Sequence, residues 1–273
     1  MKKNLSTIIL ILVFVTGLSL LLYPTVSDYW NSFHQSRAIA TYASDVAALN
    51  DDDYDHLWAA AQAYNQRLAQ RKDPLVQSEA DLEEYRTLLD ITGNGVMGYI
   101  EIPELKVSLP VYHGVDEGVL QIAIGHIPGT SLPVGGQGTH NVLSGHRGLP
   151  SAKLFTNLDQ LREGDTFMLR VLDETLTYEV DQVLIVEPQE VAALAIDPNE
   201  DYCTLVTCTP YGINTHRLLV RGHRIENTKA AASVRVTADA MQIEPVIVAP
   251  LVAIPMLLVL LVWLLVHDRK KKR

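Results

Sequence analysis

Apolar side chains are concentrated at the two ends of the chain, in runs long enough to cross a bilayer. The first run covers residues 5–23 and follows Lys2 and Lys3. Its length is about the ~20 residues that a membrane-spanning helix needs. No Ala-x-Ala-like cleavage pattern follows Tyr23, which favours an uncleaved anchor over a secretory signal peptide.

The second apolar run covers residues 246–266 and contains no charged residue. Pro250 and Pro255 are tolerated in a membrane helix, where neighbouring groups satisfy the freed backbone. Its length and the basic tail at 267–273 favour a membrane helix over a buried helix of a soluble protein. Since positive charge flanks both runs, we expect both termini in the cytoplasm and the middle of the chain, about residues 25–245, outside.

The first part of this middle region has helical patterning. An Ala-rich stretch predicts a helix over about 28–50, and Asn50 followed by three aspartates predicts the capped start of a second helix that runs to about residue 70. Pro74 interrupts the helical pattern because it restricts the residue before it. A short third helix is predicted over 79–89.

From residue 93 onward the pattern changes to short β-rich runs separated by Gly, Pro and Asp. Runs at this frequency predict an all-β barrel or sandwich. The predicted strands are 97–102, 107–111, 141–144, 167–171, 176–186, 204–207 and 217–220. The resulting domain outline is a membrane anchor (1–24), a helical stalk (25–92), a β domain (93–226), a linker (227–245), a membrane helix (246–266) and a cytoplasmic tail (267–273).

Charge narrows the choice of partners. The whole chain carries a net charge of −10, and removing the charged ends leaves 15 basic and 31 acidic side chains in the middle region, a net charge near −16. This region has no basic cluster interleaved with aromatic residues, so we do not expect nucleic acid as a partner. Such acidity keeps a domain soluble and would repel anionic polymers of the cell envelope.

The chain has two cysteines, Cys203 and Cys208. Five positions apart in a strand, they point to opposite faces, which disfavours a disulfide between them. They also lack the Cys-x-x-Cys spacing of a zinc site. An inert buried thiol is the ordinary interpretation of Cys203, whereas Cys208 stands at the end of a predicted strand beside a loop.

Two polar residues could act with the Cys208 thiol. Pro210 and Gly212 predict a turn after Cys208, and Arg217 begins the next strand, so the thiol and the guanidinium would meet if these strands pair. His146 follows a predicted strand in a Gly-flanked loop, where functional residues often occur. From the residues alone, an ordinary surface arginine and an ordinary histidine remain open alternatives, and other histidines stand at 113, 126, 140, 216 and 223.

Three motifs together resemble a known family. Thr204-Leu205-Val206-Thr207-Cys208 resembles the TLxTC signature of the sortases, residues 141–148 resemble the segment around their catalytic histidine, and Arg217 matches the arginine that follows the cysteine strand. The resemblance covers residues 93–226. It implies an eight-stranded β-barrel and a cysteine transpeptidase with Cys208, His146 and Arg217 as catalytic residues, and it implies no metal or organic cofactor, although incidental calcium binding stays open.

Further motifs are similar to class C, the pilus-assembling sortases. These are Gly125-His126, residues 129–133 and residues 145–150, together with the C-terminal membrane helix. That class carries a lid with an Asp-Pro-aromatic motif, in which the Asp faces the catalytic Arg and the aromatic covers the Cys. Asp73, Pro74 and Leu75 match two of the three positions, with Leu75 as an apolar cover. An interhelix turn is the alternative reading of this segment.

The resemblance implies a membrane-anchored enzyme of a Gram-positive bacterium with its catalytic domain outside the cell. It would cleave an LPxTG-like sorting signal through a thioester and join it to a lysine of a pilin subunit. Two alternatives remain: a housekeeping sortase that anchors proteins to peptidoglycan, and a non-catalytic domain that binds envelope peptides. A papain-like hydrolase is disfavoured because its cysteine precedes its histidine in the chain, whereas His146 precedes Cys208 here.

Overall fold

A computed structural model describes residues 2–227, with side chains from residue 10 onward. The predicted second membrane helix (246–266) and the basic tail lie outside the described residues.

The first helix joins the predicted anchor to the predicted stalk. Helix α1 spans Lys2–Ala47 and contains Pro24, where the sequence predicts a domain boundary. A proline inside a helix removes one backbone hydrogen bond, and here the turns on both sides keep the helix continuous. By length and composition, the part of α1 from Leu10 onward is apolar enough to cross a membrane.

The next two helices both begin at a side-chain cap, of which the sequence predicts the first, Asn50. Helix α2 spans Asp51–Ala69, and the Asn50 side chain accepts a hydrogen bond from the Asp53 backbone N–H at 2.8 Å. Helix α3 spans Glu79–Thr87 and starts with a reciprocal capping box between Ser78 and Asp81. Such caps satisfy backbone donors that the first helical turn leaves unpaired.

Eight strands form a closed barrel, as the family resemblance implies. Its order is β1-β2-β3-β4-β7-β8-β6-β5, with parallel pairing of β2 with β3 and of β4 with β7. All seven predicted strands are present. The sequence pattern missed β3, which has three residues and is too short to show alternation. The strands are β1 Val96–Ile102, β2 Val107–His113, β3 Ile124–His126, β4 Thr139–Ser144, β5 Thr166–Val171, β6 Glu174–Val186, β7 Asp201–Thr209 and β8 His216–Ile225, and a short helix α4, Glu117–Leu120, precedes β3.

Alternation along the strands fills the barrel interior. In β7 the buried Cys203 and Leu205 belong to the main core, and Leu218 and Val220 of β8 join them. The residues between them therefore point outward. This alternation fixes which face of β7 carries Cys208.

The α2–α3 hairpin is fastened to the barrel at both of its helices. The Asn65 side chain of α2 donates to the Leu132 carbonyl at 3.0 Å and accepts from the Leu132 N–H at 2.7 Å. The Tyr85 hydroxyl of α3 lies 2.9 Å from His126 Nδ1 and accepts from the Gly114 N–H at 3.0 Å. The loop between these helices is therefore held at two fixed points.

Candidate active site

Strand register brings Cys208 and Arg217 directly opposite each other. They are paired residues of the antiparallel strands β7 and β8, which confirms that the two predicted strands are neighbours. Cys208 shares its face of β7 with Val206, whose side chain packs on the outside of the barrel. The Cys208 side chain is half-buried, so the thiol is placed on the outer face at the end of a fixed strand.

The segment carrying His146 continues the sheet beside β7. Ser144 at the end of β4 pairs with Val206, and the Gly145 N–H then donates to the Val206 carbonyl at 3.0 Å. The Thr207 hydroxyl donates to the Gly145 carbonyl at 2.7 Å. His146, itself half-buried, thus follows a residue that is bonded to the strand position immediately before Cys208.

Arg147 ties the same segment to the residue after the cysteine. Its Nη1 donates to the Thr209 hydroxyl at 3.2 Å, and its Nη2 donates to Asp159 Oδ2 at 2.6 Å. The Arg147 side chain is only 10% exposed, and its Nε is buried with no hydrogen-bond partner among the described residues. An unpaired buried donor costs stability. The contacts of Nη1 and Nη2 therefore hold the Arg147 side chain in this position despite that cost.

The loop after Cys208 also packs on the His146 segment. A Cβ added at Gly148, whose φ is +77°, would lie 2.7 Å from the Tyr211 ring. The Arg147 guanidinium lies 5.9 Å from the centre of that ring. The sequence analysis missed Arg147 and Tyr211, although the Gly–His–Arg–Gly spacing beside the candidate histidine was an available signal.

Arg217 is oriented by its own turn. Its Nη1 donates to the Asn214 carbonyl at 3.3 Å and to the His216 carbonyl at 3.1 Å. Both acceptors are uncharged backbone oxygens, so these hydrogen bonds do not neutralise the positive charge of the guanidinium. The side chain is half-buried and stands at the end of the sheet with Cys208.

A second apolar cluster lies on the outer face of the sheet, on the side that carries Cys208. Its buried members are Val142, Val206 and Leu219, from three adjacent strands. Partly buried apolar side chains pack against them; they are Ile127, Leu184, Val186, Ala193 and Leu194. Because Val206 and Cys208 share one face of β7, this outer apolar cluster lies next to the thiol.

His140 holds the β6–β7 connection over this outer apolar cluster. Its Nδ1 donates to the Ala195 carbonyl at 2.9 Å, and its Nε2 lies 2.7 Å from the Thr204 hydroxyl. Burial lowers the pKa of the imidazole, which keeps it neutral and lets Nε2 accept from Thr204. His140 therefore links the sheet to the connection, whereas His146 belongs to the segment that is bonded to β7 next to Cys208.

The predicted lid segment lies between the two helices of the hairpin. Residues 71–77 form a turn in which the Val76 N–H donates to the Asp73 carbonyl at 3.2 Å. The turn approaches the β3–β4 loop so closely that a Cβ on Gly129 would lie 2.4 Å from the Pro74 carbonyl oxygen. Leu75 is 38% exposed. The lid role of this turn stays a prediction.

The predicted contact between the lid Asp and the catalytic Arg is absent from the described part of the chain. The Asp73 side chain is exposed and forms no ion pair there. An ion pair at the base of this turn joins Arg71 to Asp81 instead. The guanidinium beside Asp81 holds the pKa of that carboxyl below its usual range. The turn at residues 71–77 is thus fastened at its base, and within the described residues Asp73 forms no ion pair with Arg217.

The two cysteines are free, as the strand alternation predicts. Cys203 is fully buried, its Sγ lies 3.4 Å from Asn141 Oδ1, and burial raises the pKa of its thiol. It therefore has no means of forming a thiolate in the core. No cluster of three His, Cys, Asp or Glu side chains that could bind a metal is present among residues described by the structure.

Comparison with known proteins gives a consistent result. The family described as Sortase, sortase domain, matches residues 100–225. The crystal structure of sortase C1 from Streptococcus agalactiae is 47% identical, with a TM-score of 0.68, covering 70% of this chain and 100% of that chain. Sortase C from Streptococcus pneumoniae is 43% identical, with a TM-score of 0.63, over 70% of this chain and 98% of that one.

Matches to curated relatives are more distant. Sortase D of Bacillus subtilis is 28% identical over 131 residues, which is 47% of this chain and 63% of the relative. Sortase A of Streptococcus agalactiae is 30% identical over 42% of this chain and 47% of the relative. The chain therefore spans about half to two thirds of these two relatives.

Proposed function

The chain belongs to the sortase family of cysteine transpeptidases, and from this premise we propose that it acts as a class C enzyme. It cleaves an LPxTG-like sorting signal between Thr and Gly and joins the Thr carboxyl to a lysine amine of a pilin subunit. One observation carries the proposal: Cys208 and Arg217 are paired across β7 and β8, next to the outer apolar cluster and beside the His146 segment.

In the first half of the proposed reaction, the Cys208 sulfur attacks the Thr carbonyl carbon. A C–S bond forms, and the carbonyl oxygen becomes an oxyanion to which Arg217 donates hydrogen bonds. The Thr–Gly C–N bond then breaks, and His146 gives a proton to the departing amine. The product of this half is a thioester on Cys208.

The second half reverses these roles with a new amine. His146 takes a proton from the incoming lysine amine, whose nitrogen attacks the thioester carbon. A C–N bond forms, the C–S bond breaks, and the sulfur leaves as a thiolate. Every proton and electron pair is accounted for by Cys208, His146 and the two substrates, so the steps need no cofactor.

The outer apolar cluster beside Cys208 supports a sorting-signal substrate. Its partly buried apolar side chains suit the Leu and Pro side chains of such a signal, since apolar burial stabilises by about 25 cal/mol per Å² of area removed from water. A solved structure that this chain resembles, 40% identical with a TM-score of 0.61, is described as Clostridium perfringens sortase C with the C-terminal cell wall sorting motif.

The class C assignment rests on the hairpin and on structural neighbours. In the α2–α3 hairpin, the Pro74 carbonyl and the Leu75 Cα lie against Gly129 of the β3–β4 loop, which supports a lid role for the segment of Asp73, Pro74 and Leu75. The Streptococcus pneumoniae structure is described in terms of pilin substrate specificity. A lysine acceptor on a pilin follows from these likenesses, as does a site outside the plasma membrane of a Gram-positive bacterium, with α1 as anchor.

Intact mass analysis tests the proposal. The full chain in detergent is incubated with an LPxTG-type peptide, and we expect an acyl mass on the wild type that Cys208→Ala abolishes. Cys203→Ala is the matched control in the same strand and should acylate normally. Asp73→Ala should acylate faster if residues 71–77 act as a lid.

The acceptor is then identified from the acylated enzyme. A lysine peptide that releases the acyl group as an isopeptide supports pilus assembly. Release only by a peptidoglycan amine would support a housekeeping sortase. Failure of every variant to acylate across several sorting peptides would overturn the proposed substrate.

A further inference from the structure

Helix α1 contacts the barrel at separate levels, the first of them at the end that carries Cys208. Near its membrane side, the Asp28 side chain accepts from the Lys153 N–H at 3.0 Å, and Asn31 donates to the Ser151 carbonyl at 2.8 Å. Farther along, the Tyr42 hydroxyl donates to the Met97 carbonyl at 3.0 Å. The helix thus meets the barrel at two separated levels.

The first of these levels belongs to the catalytic end. Ser151 and Lys153 follow His146 in the same segment, and the Phe155 N–H donates to the His146 carbonyl at 3.2 Å. This segment extends from the end of β4, which lies beside the end of β7 that carries Cys208.

The second level belongs to the opposite end. The Tyr42 hydroxyl also accepts from the Leu172 N–H at 2.7 Å, in the turn between β5 and β6. Strand β6 runs from that turn to Val186, which pairs with Arg217 at the catalytic end. The β5–β6 turn and the catalytic residues therefore lie at opposite ends of the barrel.

Distances along α1 fix the order of these levels relative to the membrane. The predicted span ends at Tyr23, and a helix rises 1.5 Å per residue, so Asp28 lies about 8 Å beyond that point. Tyr42 lies about 21 Å farther along the helix. The catalytic end is therefore the end nearest the bilayer.

The helix surface between these points has an unusual polarity. Asp28, Asn31 and Gln35 face the barrel and bond to it. The opposite side presents an aromatic stripe, which we define as Val26, Tyr29, Trp30 and Phe33; all four are at least half exposed, and Trp30 is 64% exposed. A surface helix in water normally shows the reverse arrangement.

We infer that this aromatic stripe lies in the lipid headgroup region and that the catalytic end of the barrel faces the membrane surface. The stripe is continuous with the apolar span of the same helix, and Trp and Tyr are enriched at membrane–water interfaces. A substrate tethered in the same bilayer would then reach Cys208 without passing the length of the barrel. The inference rests on α1 as a membrane anchor and goes beyond the proposed reaction.

Energy transfer to a lipid-bound acceptor tests the orientation. The full chain is reconstituted in vesicles in a Cys208→Ser background, in which the remaining Cys203 is buried. A donor dye is placed by Ile213→Cys at the catalytic end or by Asp173→Cys in the β5–β6 turn. We expect the donor at 213 to lie about 20 Å closer to the lipid, and equal or reversed distances would overturn the inference.

Quenching of Trp30 by brominated lipids tests what covers the stripe. A chain with Trp58→Phe and Trp263→Phe keeps only Trp30, which should be quenched by bromines near the headgroups. A matched chain that keeps only Trp58, stacked 6.2 Å from Tyr54 on α2, should not be quenched. Unquenched Trp30 would indicate that a second copy or another part of this chain covers the stripe, and would overturn the inference.

Both experiments measure the position of a residue relative to the lipid, and neither depends on enzymatic activity. A chain that acylates poorly can still show the expected distances, so failure of the proposed reaction and failure of the proposed orientation are distinguishable. If the chain does not associate with vesicles, the proposed membrane anchor and the proposed orientation are both overturned.

Discussion

The sheet formed by β4, β7 and β8 and the turn at residues 71–77 are held in very different ways. In the sheet, Cys208 is fixed by strand pairing of β7 with β8 and lies next to the outer apolar cluster. The turn is exposed, meets the barrel through the close approach of Pro74 to Gly129, and is fastened mainly at its flanking helices.

This difference suits the sheet to holding the reacting groups and the turn to controlling access to the thiol. Catalytic groups need positions fixed to within a fraction of an ångström, which paired strands provide. A segment that controls access must leave its closed position at low cost, which a short exposed turn between two anchored helices can do. We therefore expect opening to be confined to residues 71–77, with α2 and α3 staying on the barrel.

The largest effect on the acylation rate should come from replacing Arg147, which links the His146 segment to β7. Arg147→Gln removes the link between the His146 segment and Thr209, so we expect acylation to slow about 10- to 100-fold, the cost of a misplacement of about 1 Å. The effect should fall on kcat with little change in KM, because Arg147 acts through the position of His146.

Two companion variants check this interpretation. Arg147→Lys keeps the charge but loses the forked geometry and should recover only part of the rate. Arg71→Gln, an arginine in the ion pair at the base of the lid, should leave kcat near the wild-type value. An equal loss in both Gln variants would contradict a positioning role for Arg147.

A smaller effect is expected from displacing the turn at residues 71–77. In Gly129→Ala the new Cβ would meet the Pro74 carbonyl oxygen at 2.4 Å, so the turn must move away. We expect Cys208 to react about tenfold faster with a small thiol probe, which corresponds to a loss of about 1.4 kcal/mol of docking free energy.

Gly164→Ala is the matched control for Gly129→Ala. Gly164 has a φ of +91°, close to the +84° of Gly129, but its added Cβ would meet no atom within 4 Å. Both variants therefore carry a similar backbone strain. Unchanged probe reactivity in Gly129→Ala would show that residues 71–77 do not shield the thiol.

The smallest effect concerns His126 of β3, which contacts Tyr85 of α3. Burial lowers the pKa of His126 to about 3, whereas an unfolded imidazole titrates near 6.5. Below pH 6.5 the unfolded chain binds a proton that the folded chain does not, so folding stability falls as pH decreases toward 3. The expected loss is about 1 kcal/mol between pH 6.5 and 5.5.

Thermal melting across this pH range checks the prediction. His126→Gln should melt lower than wild type at neutral pH, because it loses the contact with Tyr85, but its melting temperature should depend less on pH. His56→Gln, an exposed residue of α2, should keep the wild-type pH dependence. A wild-type slope in His126→Gln would contradict the assignment.

Local rules in the sequence anticipated much of the fold and the placement of the candidate catalytic residues. Asn50 caps the helix that follows it, and alternation along β7 separates the buried Cys203 from the outward Cys208. The pairing of Cys208 with Arg217 follows from a short turn between two adjacent strands. Helix α1 continues through Pro24, because a long helix retains its other hydrogen bonds.

The sequence by itself determined the apolar N-terminal run, the start of α2, most strands and the face of β7 that carries the thiol, because each depends on residues within a few positions of one another. Only the tertiary structure decided the contacts of Arg147 with Thr209, of Gly129 with Pro74 and of α1 with the catalytic end. These contacts join residues more than 50 positions apart. The paths of the intervening loops and the closure of the barrel set them, and local patterning carries no information about either.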